Sequence, residues 1–256
     1  MRSLETGEVM HPGVGPREEA ERLYVRQSRL AERLREPGRD KLVLFDVGLG
    51  AGSNALAARA ESERAPELAA CLELVSFERD LGALELALAH AGSFGFDEES
   101  CEAARAILSC GEHRTARTHW VLRSGELLTS LAEESLRAEI VFWDPFSPRA
   151  NPSLWTVAAF SALRRAVGDR CTLFTYSAST ATRVALLLAD FAVGVGDPIG
   201  ERSQTTAAAL SLEDLARPLE SAWPKRLLLP DAPMPSDAPP DAVARVAAKA
   251  QFVAPR

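Results

Sequence analysis

The chain has 256 residues, a net charge of -7, 46% hydrophobic residues and 25% charged residues. This is ordinary globular composition, which excludes collagenous, fibrous and wholly disordered chains. A chain of this length can bury most of its apolar surface without disulfide or metal staples, and its mildly acidic charge means that a nucleic-acid partner has to be met by a local basic patch.

Residues 1–16 hold Gly7, Pro12, Gly13, Gly15 and Pro16 and read as an irregular arm. A helical pattern follows over 17–35, with Leu23, Leu30 and Leu34 on one face and Arg22, Arg26, Arg29 and Arg33 as a second stripe; Pro37-Gly38 ends it. Leu42 to Val47 is a continuous apolar run closed by a Gly-rich turn, the pattern of a buried parallel strand. Ser53 is placed to cap the Ala-rich helix that runs to about 62. Leu72 to Phe77 is a second strand and 80–91 a helix, while 92–117 reads as a loop with a short helix. Trp120 to Leu122 is a third strand, 125–134 a helix, and Ile140 to Trp143 a fourth strand. Leu154 to Ala166 is helical, Cys171 to Tyr176 is a fifth strand, and 178–189 is helical. Phe191 to Val195 and Thr205 to Leu210 form a closing pair. Strands separated by helices of this length predict an α/β, doubly wound, seven-stranded and mostly parallel sheet with helices on both faces. Seven prolines from Pro218 to Pro240 predict a largely extended or mobile tail with a short helix at 241–250. The expected division is an arm and helix over 1–40, a catalytic domain over 41–210, and a Pro-rich tail over 211–256.

Cys71, Cys101, Cys110 and Cys171 show no C-x-x-C spacing, and His11, His90, His113 and His119 do not group with them, so no metal is expected. The thiols suit a reducing compartment. Met1-Arg2-Ser3-Leu4-Glu5 has no apolar run behind its arginine, and no window approaches the ~18 apolar residues of a membrane span. The expected location is the cytoplasm, with no membrane partner; no pattern sets the oligomeric state.

Two loops carry chemistry. Asp46-Val47-Gly48-Leu49-Gly50-Ala51-Gly52 joins a strand end to a helix start, where open α/β sheets bind ligands and helix N–H groups are free. A dinucleotide fingerprint needs glycine at position 53, and a P-loop needs a lysine that this stretch lacks. An acidic residue two before the first glycine of G-x-G-x-G resembles the first motif of class I S-adenosylmethionine-dependent methyltransferases. Glu78, at the next strand's end, is placed to accept ribose hydroxyls. The bland alternative is a glycine turn that only packs helix on strand. The second loop, residues 144–155, has Pro145, Pro148 and Pro152, a carboxylate at Asp144, and flat apolar surfaces at Phe146 and Trp155. Its bland alternative is a proline-stiffened turn with Asp144 as a helix cap.

The second loop resembles the D-x-F-[SA]-P-x-x-N-P-x-[LM]-W segment of the MnmC/MnmD family, the methyltransferases that form 5-methylaminomethyl-2-thiouridine in tRNA. Gly7-Glu8-Val9-Met10-His11, Leu23-Tyr24-Val25, the glycine loop through Ser53-Asn54, Val75-Ser76-Phe77-Glu78 and Thr175-Tyr176-Ser177 are also similar to that family. Ser203-Gln204-Thr205-Thr206-Ala207-Ala208 is loosely like its terminal hairpin. Leu122-Arg123-Ser124-Gly125-Glu126 stands where the family usually has Gly-Asp.

The resemblance implies methyl transfer from S-adenosylmethionine to the amine of a 5-aminomethyl wobble uridine. It implies Asp144 as the general base, Asp46, Gly48, Gly50, Gly52, Asn54 and Glu78 as cofactor residues, and Phe146, Asn151 and Trp155 as the substrate pocket. A tRNA partner would meet the arginine stripe or a second patch of Arg114, Arg117 and Arg123 with His113 and His119; acidic neighbours leave both open to a solvated reading. Two alternatives stand beside it: the same fold acting on another amine, or a catalytically silent binding module.

Overall fold

Eight strands form one sheet in the order β3-β4-β2-β1-β5-β6-β8-β7. They are β1 Lys41–Val47, β2 Cys71–Glu78, β3 Glu112–Arg114, β4 Thr118–Ser124, β5 Ala138–Trp143, β6 Val167–Thr175, β7 Ala192–Gly196 and β8 Thr205–Ala209. The computed structural model describes residues 15–65, 70–200 and 202–253. The Gly7–His11 motif therefore lies outside the described residues. The pairs β4/β2, β2/β1, β1/β5 and β5/β6 are parallel, and β8 runs antiparallel between β6 and β7. This is the expected Rossmann-like sheet with one addition. β3 pairs antiparallel with the β4 edge, and its Glu-His-Arg sequence has no apolar signal to betray it. The stretch before it holds a full helix, α6 Glu98–Cys110, capped by the Asp97 side chain on Ser100 N. Only Ala103, Ala104 and Ile107 mark its buried face, a weak stripe that reads as loop.

Alternate residues of β1 feed two cores, one on each face of the sheet. Leu42 and Leu44 pack with α3 (Ser53–Glu63), α6 and the N-terminal arm. Val43, Phe45 and Val47 pack with α7 (Leu127–Glu133), α8 (Val157–Ala166) and α9 (Thr180–Leu188). Burial on both faces is why the strand is an unbroken apolar run. The arm is not the single helix expected over 17–35. It is a short helix, α1 Pro16–Glu19, a π-helical turn over Ala20–Arg26, and α2 Leu30–Leu34, with Arg29 in the left-handed region at φ 55 between them. Leu23, Leu30 and Leu34 are nevertheless all buried, so the apolar face survives the break.

The tail differs most from expectation. Leu219, Leu227, Ala242 and Val246 belong to the second core, and the short helix is present as α10 Ala242–Ala247. Gln251 donates to Val193 O at 2.6 Å and accepts from Val193 N at 2.9 Å, so it closes the free edge of β7. The prolines restrict the backbone without preventing it from packing. Asp237 accepts from Val157 N and Ala158 N, each at 2.9 Å, while Thr156 Oγ1 accepts from Ala159 N. The tail thus satisfies the start of α8, the helix that follows the proline loop. Among the described residues no helix is long and apolar enough to cross a membrane.

Asp237→Ala leaves two N–H groups at the α8 start unsatisfied by protein. It is expected to lower stability by about 1 kcal/mol in chemical denaturation, with Asp237→Asn keeping part of the loss at bay.

Candidate active site

The two neighbours of β1 are β2, the next strand in the chain, and β5, reached only after two further strands. The order reverses at β1, and in open α/β sheets the ligand crevice opens at the C-terminal ends of the strands at such a reversal. The glycine loop leaves the end of β1 there, and Asp144 leaves the end of β5. The ladder continues into both: Gly48 N donates to Phe77 O at 3.0 Å and Asp144 N donates to Val47 O at 2.9 Å.

The two loops touch through backbone. A Cβ at position 48 would lie 2.8 Å from Asp144 O and from both N and Cα of Pro145, and Gly48 has φ 86. Only glycine fits this position. At Gly52, φ 82, a Cβ would meet the Leu84 side chain at 2.9 Å. Gly52, rather than Ser53, stands at the α3 N-cap, and Ser53 is the first helical residue with a buried hydroxyl that caps nothing.

Glu78 ties the end of β2 to this loop. Its Oε2 accepts from Gly50 N at 3.0 Å, and its Oε1 accepts from Arg79 N at 2.7 Å and Asp80 N at 3.1 Å. A carboxylate has about four lone-pair positions, so roughly one remains for a ligand hydroxyl. Asp46 lies fully buried beneath the loop. Its Oδ2 accepts from Ser76 Oγ at 2.8 Å, and Ser76 Oγ in turn accepts from Trp120 Nε1 at 2.9 Å. Burial pushes the Asp46 carboxyl up to about 7; the Ser76 hydrogen bond opposes this, and the charges of Asp144 and Glu78 add to it.

Asn54, in the first turn of α3, donates from Nδ2 to Asp144 Oδ2 at 2.8 Å. Tyr24, in the π-helical turn of the arm, is fully buried against Phe142 at 5.1 Å. Its proton is held well above the usual tyrosine range by burial and then by the neighbouring Asp144 charge. The proline loop is braced from within. Trp155 Nε1 donates to Phe146 O at 2.8 Å, and Asn151 is engaged inside the loop, its N on Ser147 O and its Oδ1 accepting from Ser153 Oγ. Trp155 is 4% exposed and packs edge-on against Tyr176 at 5.7 Å, so it is a core wall rather than an open stacking face. Phe146 is half-buried. Tyr176 donates to Pro145 O at 3.0 Å, and Arg202 lies 4.9 Å over its ring while pairing with the buried Glu19. Tyr24, Tyr176 and Arg202 have no role in the sequence reading; for Tyr176 the available signal was its position at a strand end on the ligand edge.

Three buried side-chain oxygens of this crevice have no hydrogen-bond partner: Asp46 Oδ1, Ser53 Oγ and Asn54 Oδ1. Orphaned buried polar atoms are rare, and three within one β1–α3 connection fit a polar ligand with both cationic and anionic ends. The amino-acid portion of S-adenosylmethionine has that character. Residues 105–211 match a family model described as S-adenosyl-L-methionine-dependent methyltransferase. MnmC2 from Aquifex aeolicus superposes with a TM-score of 0.67 at 28% identity, over 89% of this chain and 74% of that one. Over these residues the chain is similar to S-adenosyl-L-methionine-dependent methyltransferases.

The chain is 29% identical over 230 residues to the tRNA 5-methylaminomethyl-2-thiouridine biosynthesis bifunctional protein MnmC of Methylibium petroleiphilum, covering 86% of this chain and 34% of that protein. It is 32% identical over 205 residues to the protein of the same name from Azoarcus sp., covering 77% and 32%. The chain spans about a third of the length of these curated relatives. The matching family model is described as S-adenosyl-L-methionine-dependent, and its match begins after the glycine loop.

Several arginines of both patches are engaged within the chain. Arg22 pairs with Glu18, Arg33 turns inward to Thr172 Oγ1, and the break at Arg29 takes the four out of one stripe. In the second patch, Arg114 pairs with Glu112, Arg123 with Glu134, and His119 sits between Glu73 and Glu112. Arg26 and Arg29 remain exposed.

A carboxyl raised to about 7 on folding binds its proton more tightly in the native state than in the unfolded chain. Asp46 therefore costs stability as pH rises from about 4 toward 7, on the order of a few kcal/mol in all. Asp46→Asn is expected to flatten that part of the pH–stability curve measured by urea titration, and to gain on the wild type at pH 8 relative to pH 5.

Proposed function

We propose that this chain transfers the methyl group of S-adenosylmethionine to the primary amine of 5-aminomethyl-2-thiouridine at the tRNA wobble position, in the cytoplasm. The observation that carries the reading is the Asp144 carboxylate, set at the end of β5 against the glycine loop and held there by Asn54. The names of the MnmC relatives support the substrate. The unpaired thiols of all four cysteines suit the compartment.

When bound, S-adenosylmethionine supplies an electrophilic methyl carbon on a cationic sulfur that departs as a neutral thioether. Gly48, Gly50 and Gly52 let the backbone approach it, Glu78 offers its remaining acceptor position to a hydroxyl, and Asp46 and Asn54 offer oxygens to an ammonium. Asp144 acts on the acceptor. An alkylammonium is mostly protonated near neutral pH and has no lone pair for attack. The Asp144 carboxylate attracts it, takes one N–H proton, and leaves the nitrogen pair free to form the new C–N bond; the proton then passes to water. Most of the rate is expected from alignment of the reacting atoms rather than from proton transfer. Phe146 offers the base a partly open apolar face, while Asn151 and Trp155 hold the loop that presents it. Tyr176 and Arg202 complete that wall.

A second reading, the same chemistry on another amine, is favoured by the net charge of -7 and by the pairing of Arg22, Arg114 and Arg123 with carboxylates. Methyl transfer to tRNA lacking only the terminal methyl, measured beside a panel of free amines, separates the two. Transfer to the tRNA alone is expected, and transfer to free amines alone would sink the first reading. No heat on calorimetric titration with S-adenosylmethionine at high micromolar concentration would leave a silent binding module. Asp144→Ala is expected to cut turnover by about 100-fold or more while cofactor affinity stays within about threefold. Unchanged turnover would remove Asp144 from the chemistry.

A further inference from the structure

Asn54 sits one residue inside α3, and its side chain is buried to 4% exposure. It reaches across the crevice from the glycine-loop helix to the carboxylate at the end of β5, ninety residues along the chain, with Nδ2 2.8 Å from Asp144 Oδ2. The family resemblance counts Asn54 among the cofactor residues. The hydrogen bond gives it a second task, because its amide hydrogens point to the base and only its Oδ1 is left over.

We propose that Asn54 is the positioning residue of Asp144, orienting the carboxylate and keeping it ionised so that it can receive the acceptor's proton. The inference deepens the reading above, in which Asp144 is the base. An amide donor stabilises the charged carboxylate over the neutral acid. The surroundings push the other way. Asp46 on β1 lies close enough to feel the Asp144 charge, and Glu78 on β2 adds its own at Asp46. Tyr24 on the arm, fully buried and holding its proton beside Asp144, works instead in the same direction as Asn54. A carboxylate among two others is one that tends to take up a proton and stop acting as a base. The Asn54 donor counters that tendency. It also restricts the side-chain torsion, because Oδ2 is committed to α3.

The test is the titration of Asp144 itself, followed by carbon-13 NMR of aspartate-labelled full-length protein, with Asp144→Asn used to assign the signal. In Asn54→Ala the Asp144 midpoint is expected to rise by about one pH unit, and in Asn54→Asp, which puts a carboxylate at the same place, by more. The acidic limb of the pH–kcat profile should move up with it, and kcat near neutral pH should fall about tenfold or more. Asn54→Ser serves where either variant melts early. An unmoved Asp144 midpoint in folded variants overturns the proposal, as does a loss confined to S-adenosylmethionine affinity with the kcat profile in place. The NMR midpoint needs no acceptor, so a wild type inactive on tRNA would reject the substrate reading while the coupling of Asn54 to Asp144 is still decided.

Discussion

The contact on which the site depends is backbone against backbone: the Asp144–Pro145 peptide lies on Gly48 with no room for a Cβ. Two loops that arise from different strands are thereby held at van der Waals distance, and the sheet ladder runs through both of them. Any side chain at residue 48 would force the β5 loop off the β1 loop and carry Asp144 with it. The crevice is consequently a property of the sheet, with the glycine loop and the Asp144 strand end sharing one wall.

That closeness has an electrostatic consequence. Asp46, Glu78 and Asp144 come together around residues 48–54, and the charges of Asp144 and Glu78 both oppose ionisation of Asp46. Glu78 is quenched by three backbone N–H groups and Asp144 by Asn54, while Asp46 is shielded by Ser76 and by depth. A pocket of this sign suits cations. A cation in the crevice would favour the ionised form of Asp46, which burial disfavours.

The periphery serves the same wall. The arm brings Tyr24 under Asp144 and Glu19 to Arg202, which in turn covers Tyr176. The tail brings Asp237 to the start of α8, directly after Trp155. The proline loop is thus pinned at its beginning by Gly48 and Tyr176 and at its end by the tail, and its own prolines stiffen the part between. The polar tail anchors act at a helix end and a strand edge, the two places where unsatisfied backbone groups collect.

The sequence by itself determined the sheet, the glycine loop and the acidic strand ends. These are written locally: apolar runs with β-branched residues, glycines at fixed spacing, and Asp or Glu where a strand stops. Strand β3 escaped because it is polar throughout and buries no residue, helix α6 because two alanines and a single isoleucine make up its buried face, and the arm's break because Arg29 in a left-handed conformation has no compositional mark. The tail was misread because proline content reports lost backbone freedom, not whether Leu227 and Val246 find a core. Which carboxylate is buried, which is latched by backbone and which is held by Asn54 was decided only by the tertiary structure. Asp46, Glu78 and Asp144 are alike in sequence, and what separates them is depth and the donors that strands and helices far apart in the chain bring to each.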